Sequence, residues 1–145
     1  MRNIKEFIIV VLLVMYASPL NVAAQSPTRQ PSPEVVKAVI PIYPDVARAA
    51  RLSGTVVVEV KINPDGSVAS TRSVSGDELL YKATAISARR WIFTPADKQT
   101  KVRDANLTFI YKLMPVSTPV EELFPIFMPP YQVEIRSTPL IAGSN

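Results

Sequence analysis

Neither a histidine nor a cysteine occurs among the 145 residues, which removes most of the side chains that small proteins use for catalysis. Imidazole bases and thiolate nucleophiles are absent, and so are the imidazole and thiolate ligands of a metal centre. Asp65 and Glu59 are the acids placed to be considered for general acid–base work. Asp65 sits in a tight-turn sequence and Glu59 on the polar face of an alternating segment, and solvation explains both. Arg89 and Arg90 stand near the end of an expected helix, where the helix dipole favours cations. Sixteen Lys and Arg against twelve Asp and Glu give a net charge of +4. These cations are scattered, a pattern suited to acidic peptides or anionic surfaces and not to nucleic acid. The chemistry left to this chain is binding: no enzyme activity, no catalytic residue, no cofactor and no metal is expected.

The elements that must position a binding surface are legible from period and turn signals. Val35, Val36, Val39 and Ile40 suit a short strand or lead-in. Pro41 and Pro44 turn the chain around Tyr43, and Pro44 opens a short helix that Ser53 and Gly54 end. Val56, Val58, Val60 and Ile62 then alternate with Thr55, Val57, Glu59 and Lys61, the period of a half-buried strand. Asn63-Pro64-Asp65-Gly66 reverses the chain into a second strand, Ser67 to Val74, whose Ser70, Thr71 and Ser73 mark it as an exposed or bulged member. Asp77 is placed to cap a helix from Glu78 to about Trp91, with Leu80, Ala83, Ser87 and Trp91 on its stripe, widened by Leu79 and Ile86. Leu107, Phe109, Tyr111 and Leu113 form the apolar face of a last strand, about Asp104 to Leu113. The expected class is α+β: a small antiparallel sheet with two helices packed on one face.

Outside this region the two ends differ in character. Arg2 and Lys5 precede a charge-free apolar run from Phe7 to Ala17, and Val22 and Ala24 are small residues before Gln25. Residues 1–24 are thus expected to be a signal peptide cleaved after Ala24. The alternative is an uncleaved anchor, since Phe7 to Ala24 approaches the roughly 20 residues a spanning helix needs. Ser18, Pro19 and Asn21 interrupt it. Residues 25–33 form a short Pro-rich linker and 34–114 the domain. Residues 115–145 are a Pro-rich tail that carries Leu123, Phe124, Ile126, Phe127, Met128 and Tyr131, too apolar for an ordinary disordered spacer.

Tyr43-Pro44 with Ala47, Gly54-Thr55-Val56, Asp65-Gly66-Ser67-Val68, Leu79-Leu80 with Ala83, and Trp91-x-Phe93-x-Pro95-Ala96 together resemble the TonB C-terminal domain family, over about Pro41 to Leu113. The resemblance implies a periplasmic location in a Gram-negative bacterium and a part in coupling an inner-membrane motor to outer-membrane transporters. It implies, too, that the final strand is an open sheet edge pairing with an extended segment of a transporter. On this sequence the peptide-binding residues would be Asn106, Leu107, Thr108, Phe109, Ile110, Tyr111 and Lys112, with Tyr43 and Pro44 near the peptide. The expected partner is an outer-membrane TonB-dependent transporter peptide, joined by inner-membrane motor proteins if the N-terminus is retained as an anchor facing the periplasm. No nucleic-acid partner is expected.

The chain departs from a complete transducer in two respects. Residues 25–33 span only about 30 Å at roughly 3.4 Å per residue, and the N-terminal segment has no histidine. Both speak against direct force transmission. A second reading therefore stands beside the first: a structural or regulatory envelope protein whose tail occupies the same sheet edge, with Gln132 to Ile135 as the added strand.

Overall fold

The computed structural model describes residues 32–97 and 102–141. The expected signal peptide, its cleavage point and nearly all of the linker lie outside the described residues. Within them, no helix is long and apolar enough to cross a membrane.

The chain enters through β1 (Val35–Lys37) and a short α1 (Asp45–Ala49), with Pro44 at the N-cap. The long hairpin of β2 (Gly54–Ile62) and β3 (Val68–Ser75) follows. The period-two pattern of β2 acts as expected: Val56, Val58, Val60 and Ile62 are fully buried, while its other face stays open. At the reversal, Gly66 has φ +90°, and a Cβ there would meet the carbonyl oxygen of Phe93 at 2.0 Å, so only glycine fits. Asp65 Oδ1 accepts from the amide of Ser67 at 2.9 Å and its hydroxyl at 2.6 Å. Those bonds, the hydroxyl first, hold the Asp65 carboxyl below its usual range. This acid braces a turn. β3 is an outer strand, and its pairing to β2 is irregular at two places, consistent with its poor strand composition.

Asp77 caps α2 (Glu78–Ala88) by accepting from the amide of Leu79 at 2.8 Å. The helix stops before Trp91, with Arg89 at its C-cap, and its buried stripe is Leu80, Thr84, Ser87 and Ala88. Leu79 and Ile86, expected on that stripe, face outward at 47% and 57% exposure. Polar Thr84 displaces them because its hydroxyl is satisfied inside, donating to the carbonyl of Leu80 at 2.8 Å and meeting the Tyr111 hydroxyl at 2.7 Å. Trp91 then enters the core. β4 (Ile92–Phe93) pairs with β1 as a separate two-stranded sheet.

β5 (Arg103–Leu113) lies antiparallel to the whole of β2, from Gly54 opposite Tyr111 to Ile62 opposite Arg103. Two more strands follow. After a single 3-10 turn at Val120–Leu123, β6 (Ile126–Met128) and β7 (Gln132–Ser137) complete a five-stranded sheet of order β3-β2-β5-β7-β6. The α+β class with helices on one face stands. The sheet, however, is mixed: β7 runs parallel to β5, because residues 114–131 cross over and return the chain to the level of Thr108, as a parallel pair requires. Val133 and Ile135 join Leu80, Trp91, Phe93, Leu107, Phe109 and Tyr111 in one core.

Candidate functional site

The backbone of β5 offers two rows of polar groups. Its odd-numbered amides point toward β2, as the bond from the Leu113 amide to Ser53 Oγ at the end of the strand shows. The even-numbered amides point the other way. The Thr108 amide donates to the carbonyl of Tyr131 at 2.9 Å and the Met114 amide to that of Ser137 at 2.8 Å. Between them Thr108 to Leu113 are matched one for one with Gln132 to Ser137.

The expectation of an open edge along the last strand is therefore corrected. β5 lies between β2 and β7, and only Asn106 and Leu107 of the expected peptide-binding run precede the part covered by the tail. The physical reason lies in the tail's own pattern. Val133 and Ile135 point into the core while Glu134 takes the opposite face, so the tail satisfies both the backbone row and the apolar surface behind it. Leu107, Phe109 and Tyr111 are core side chains; Thr108, Ile110 and Lys112 stand on the face away from the helices.

An ionic cluster fixes the register on that outer face. Glu134 is only 6% exposed. Its carboxylate accepts from Lys112 Nζ at 2.6 Å and from Arg136 Nε at 2.7 Å. The Lys112 ammonium, above all, holds the Glu134 carboxyl below its ordinary range, against the opposing effect of burial. Arg136 also donates to the carbonyl of Glu122 at 3.1 Å, which ties the 3-10 turn to β7.

Of Tyr43 and Pro44, Tyr43 is the one brought against this strand, while Pro44, at the N-cap of α1, lines the surface alongside Leu79 and Ile86 of α2. Tyr43 is buried, edge-on to Tyr111 at 5.1 Å between centroids, with its hydroxyl donating to the carbonyl of Leu52. It anchors the Ile40–Arg48 segment to the core. That segment borders β7 across a cleft of about 270 Å³, with Ile40, Ile42 and Arg48 on one wall and Leu123, Ile135 and Arg136 on the other. Arg48 reaches over to donate from Nε to the carbonyl of Thr138 at 2.9 Å, its guanidinium steadied by Asp45 at 3.1 Å. On the core side Phe127 packs against Trp91 at 6.1 Å and Tyr131 against Phe93 at 6.2 Å.

Arg48 and Glu134 were not singled out by sequence reasoning. The signal for Glu134 was present, a lone acid between two β-branched residues; nothing local marked Arg48. Among the described residues no group of three acids could hold a metal. The arrangement can hold one extended strand, by backbone pairing on β5, a cation at Lys112 and a carbonyl clasp at Arg48.

A family model described as the C-terminal of the Gram-negative bacterial TonB protein matches residues 40–113, just over half of the chain. No curated protein matches. Among solved structures, the solution NMR structure of the Pseudomonas aeruginosa TonB C-terminal domain is similar at 21% identity and a TM-score of 0.48, covering 59% of this chain and 91% of that one.

Proposed function

The chain belongs to the TonB C-terminal domain family, and from that premise we propose that it is a periplasmic peptide-binding module of TonB-dependent transport whose capturing edge, β5, is held at rest by its own tail. Membership brings a non-catalytic, transport-associated role in the Gram-negative envelope. The observation that carries the finer reading is the occupied edge: β7 lies where an added strand would lie, matched residue for residue from Thr108 to Leu113. An outer-membrane transporter segment would take the same place once β7 leaves, reading Asn106 to Lys112 by their backbone and passing beside Tyr43 and Pro44. Inner-membrane motor proteins join as partners only where the N-terminus stays anchored.

The tail acts as a tethered competitor. A strand on a short tether presents itself at an effective concentration in the millimolar range, so a free peptide of equal intrinsic affinity binds poorly until the tail is weakened. The rival reading, a structural or regulatory envelope protein whose tail occupies the same edge, differs in whether a transporter peptide ever displaces that tail. The absence of native cysteine makes the test direct. Cysteines at Thr108 and Gln132, register partners on β5 and β7, lock the tail when oxidised. The reduced chain should bind a synthetic peptide from a transporter's periplasm-facing N-terminus in a calorimetric titration, and the oxidised chain should not. Equal heats in both redox states would sink the exchange.

A further inference from the structure

We propose that Lys112 selects the captured strand, requiring a carboxylate side chain at the position opposite Ile110, between two β-branched residues, in a segment running parallel to β5. This rests on the capture reading above and adds the chemistry of the ligand. β7 supplies the template. Val133 and Ile135 are buried against the core while Glu134, in register with Ile110, turns to the other face. There it meets Lys112 at 2.6 Å, a cation contributed by the edge strand itself and not by the tail. Arg136, the second cation on Glu134, belongs to β7, so when the tail leaves, Lys112 is the charge that remains on β5 to greet a newcomer.

The length of the segment follows from its two ends. The carbonyl of Tyr131 accepts from the Thr108 amide and that of Thr138 from Arg48 Nε, which spans eight residues. A strand with a basic residue opposite Ile110 would set two cations side by side, one of them at the position that Glu134 holds at 6% exposure, and like charges so placed act against binding. Wrong ligands are thereby rejected as well as right ones held.

Three capped octapeptides test this on the full chain: Tyr-Gln-Val-Glu-Ile-Arg-Ser-Thr, copied from residues 131–138, and the same sequence with Gln or Lys in the fourth position. Trp91 is the single tryptophan and loses Phe127 from its face when the tail is displaced, so its fluorescence reports binding. The Glu peptide should bind about tenfold or more tighter than the Lys peptide, the size expected of a close charge pair, with Gln between. In Lys112→Glu the order should invert. That substitution also loosens the tail, but equally for every peptide, so the ratio of affinities isolates selection from latching. Peptides that all bind alike in both chains would overturn selection while leaving capture standing. Failure of all three to bind either chain would overturn capture itself.

Discussion

Replacing Glu134 by glutamine removes the charge through which β7 is tied to Lys112, and the geometry sets the size of the loss. Two charge-assisted bonds end on this carboxylate, at 2.6 and 2.7 Å. Each such bond contributes about 1.5–3 kcal/mol when well sheltered. The full sum does not apply, because the Lys112 side chain is 51% exposed, and because Arg136 lies on β7 itself and its bond to Glu134 does not tie the tail to β5. Solvent screens the first pair, and glutamine retains one acceptor. A net loss of about 1–2 kcal/mol remains, roughly a five- to thirtyfold rise in the population with the tail undocked. Amide hydrogen exchange reads this directly: the amides of Ile110 and Met114, which face β7, should speed up by that factor, while those of Leu107 and Phe109, which face β2, keep their rates. The pH dependence has a definite sign. The folded carboxyl lies below its ordinary value of 4.5, so its stabilisation is complete above that value and is lost as pH falls through the lowered one. Wild type and Glu134→Gln should therefore converge in acid. Uniform acceleration across both faces of β5, or none, would refute the reasoning.

Gly66→Ala should lower stability by about 3 kcal/mol or more, since its Cβ meets the Phe93 carbonyl and its φ is positive; an unshifted thermal melt would contradict this. Burial pushes the Tyr111 hydroxyl up to about 12. One of the five tyrosines should thus ionise near pH 12 in an ultraviolet titration. Because the unfolded phenol releases its proton first, stability should fall as pH rises from about 10 to 12. A titration in which all the phenols ionise together near 10 would count against a buried Tyr111.

What the sequence made legible was local. Alternation in β2 and β5, the Asn63–Gly66 reversal and the Asp77 cap each depend on residues within a few positions of one another, and each was readable. The outer face of α2 was misread because Thr84 looks polar in isolation; its burial depends on a hydroxyl 27 residues away. The sequence marked Gln132 to Ile135 as a strand able to sit on β5, yet could not choose between an open edge and a filled one. That choice is made at long range, by the crossover of residues 114–131 and by the pairs of Lys112 with Glu134 and Arg48 with Thr138.

The strand order also decides which edges the sheet leaves open. Without its last two members the sheet would end in an eleven-residue ribbon rich in Leu, Phe, Ile and Tyr, a template for stacking chain upon chain. With them, it ends in three residues flanked by Pro125 and Pro129 on one side and in the Ser-, Thr- and Arg-bearing β3 on the other. Proline cannot extend a ladder and charge discourages one. Covering β5 with the tail removes that template, so variants in which the tail is loosened should aggregate more readily at high concentration.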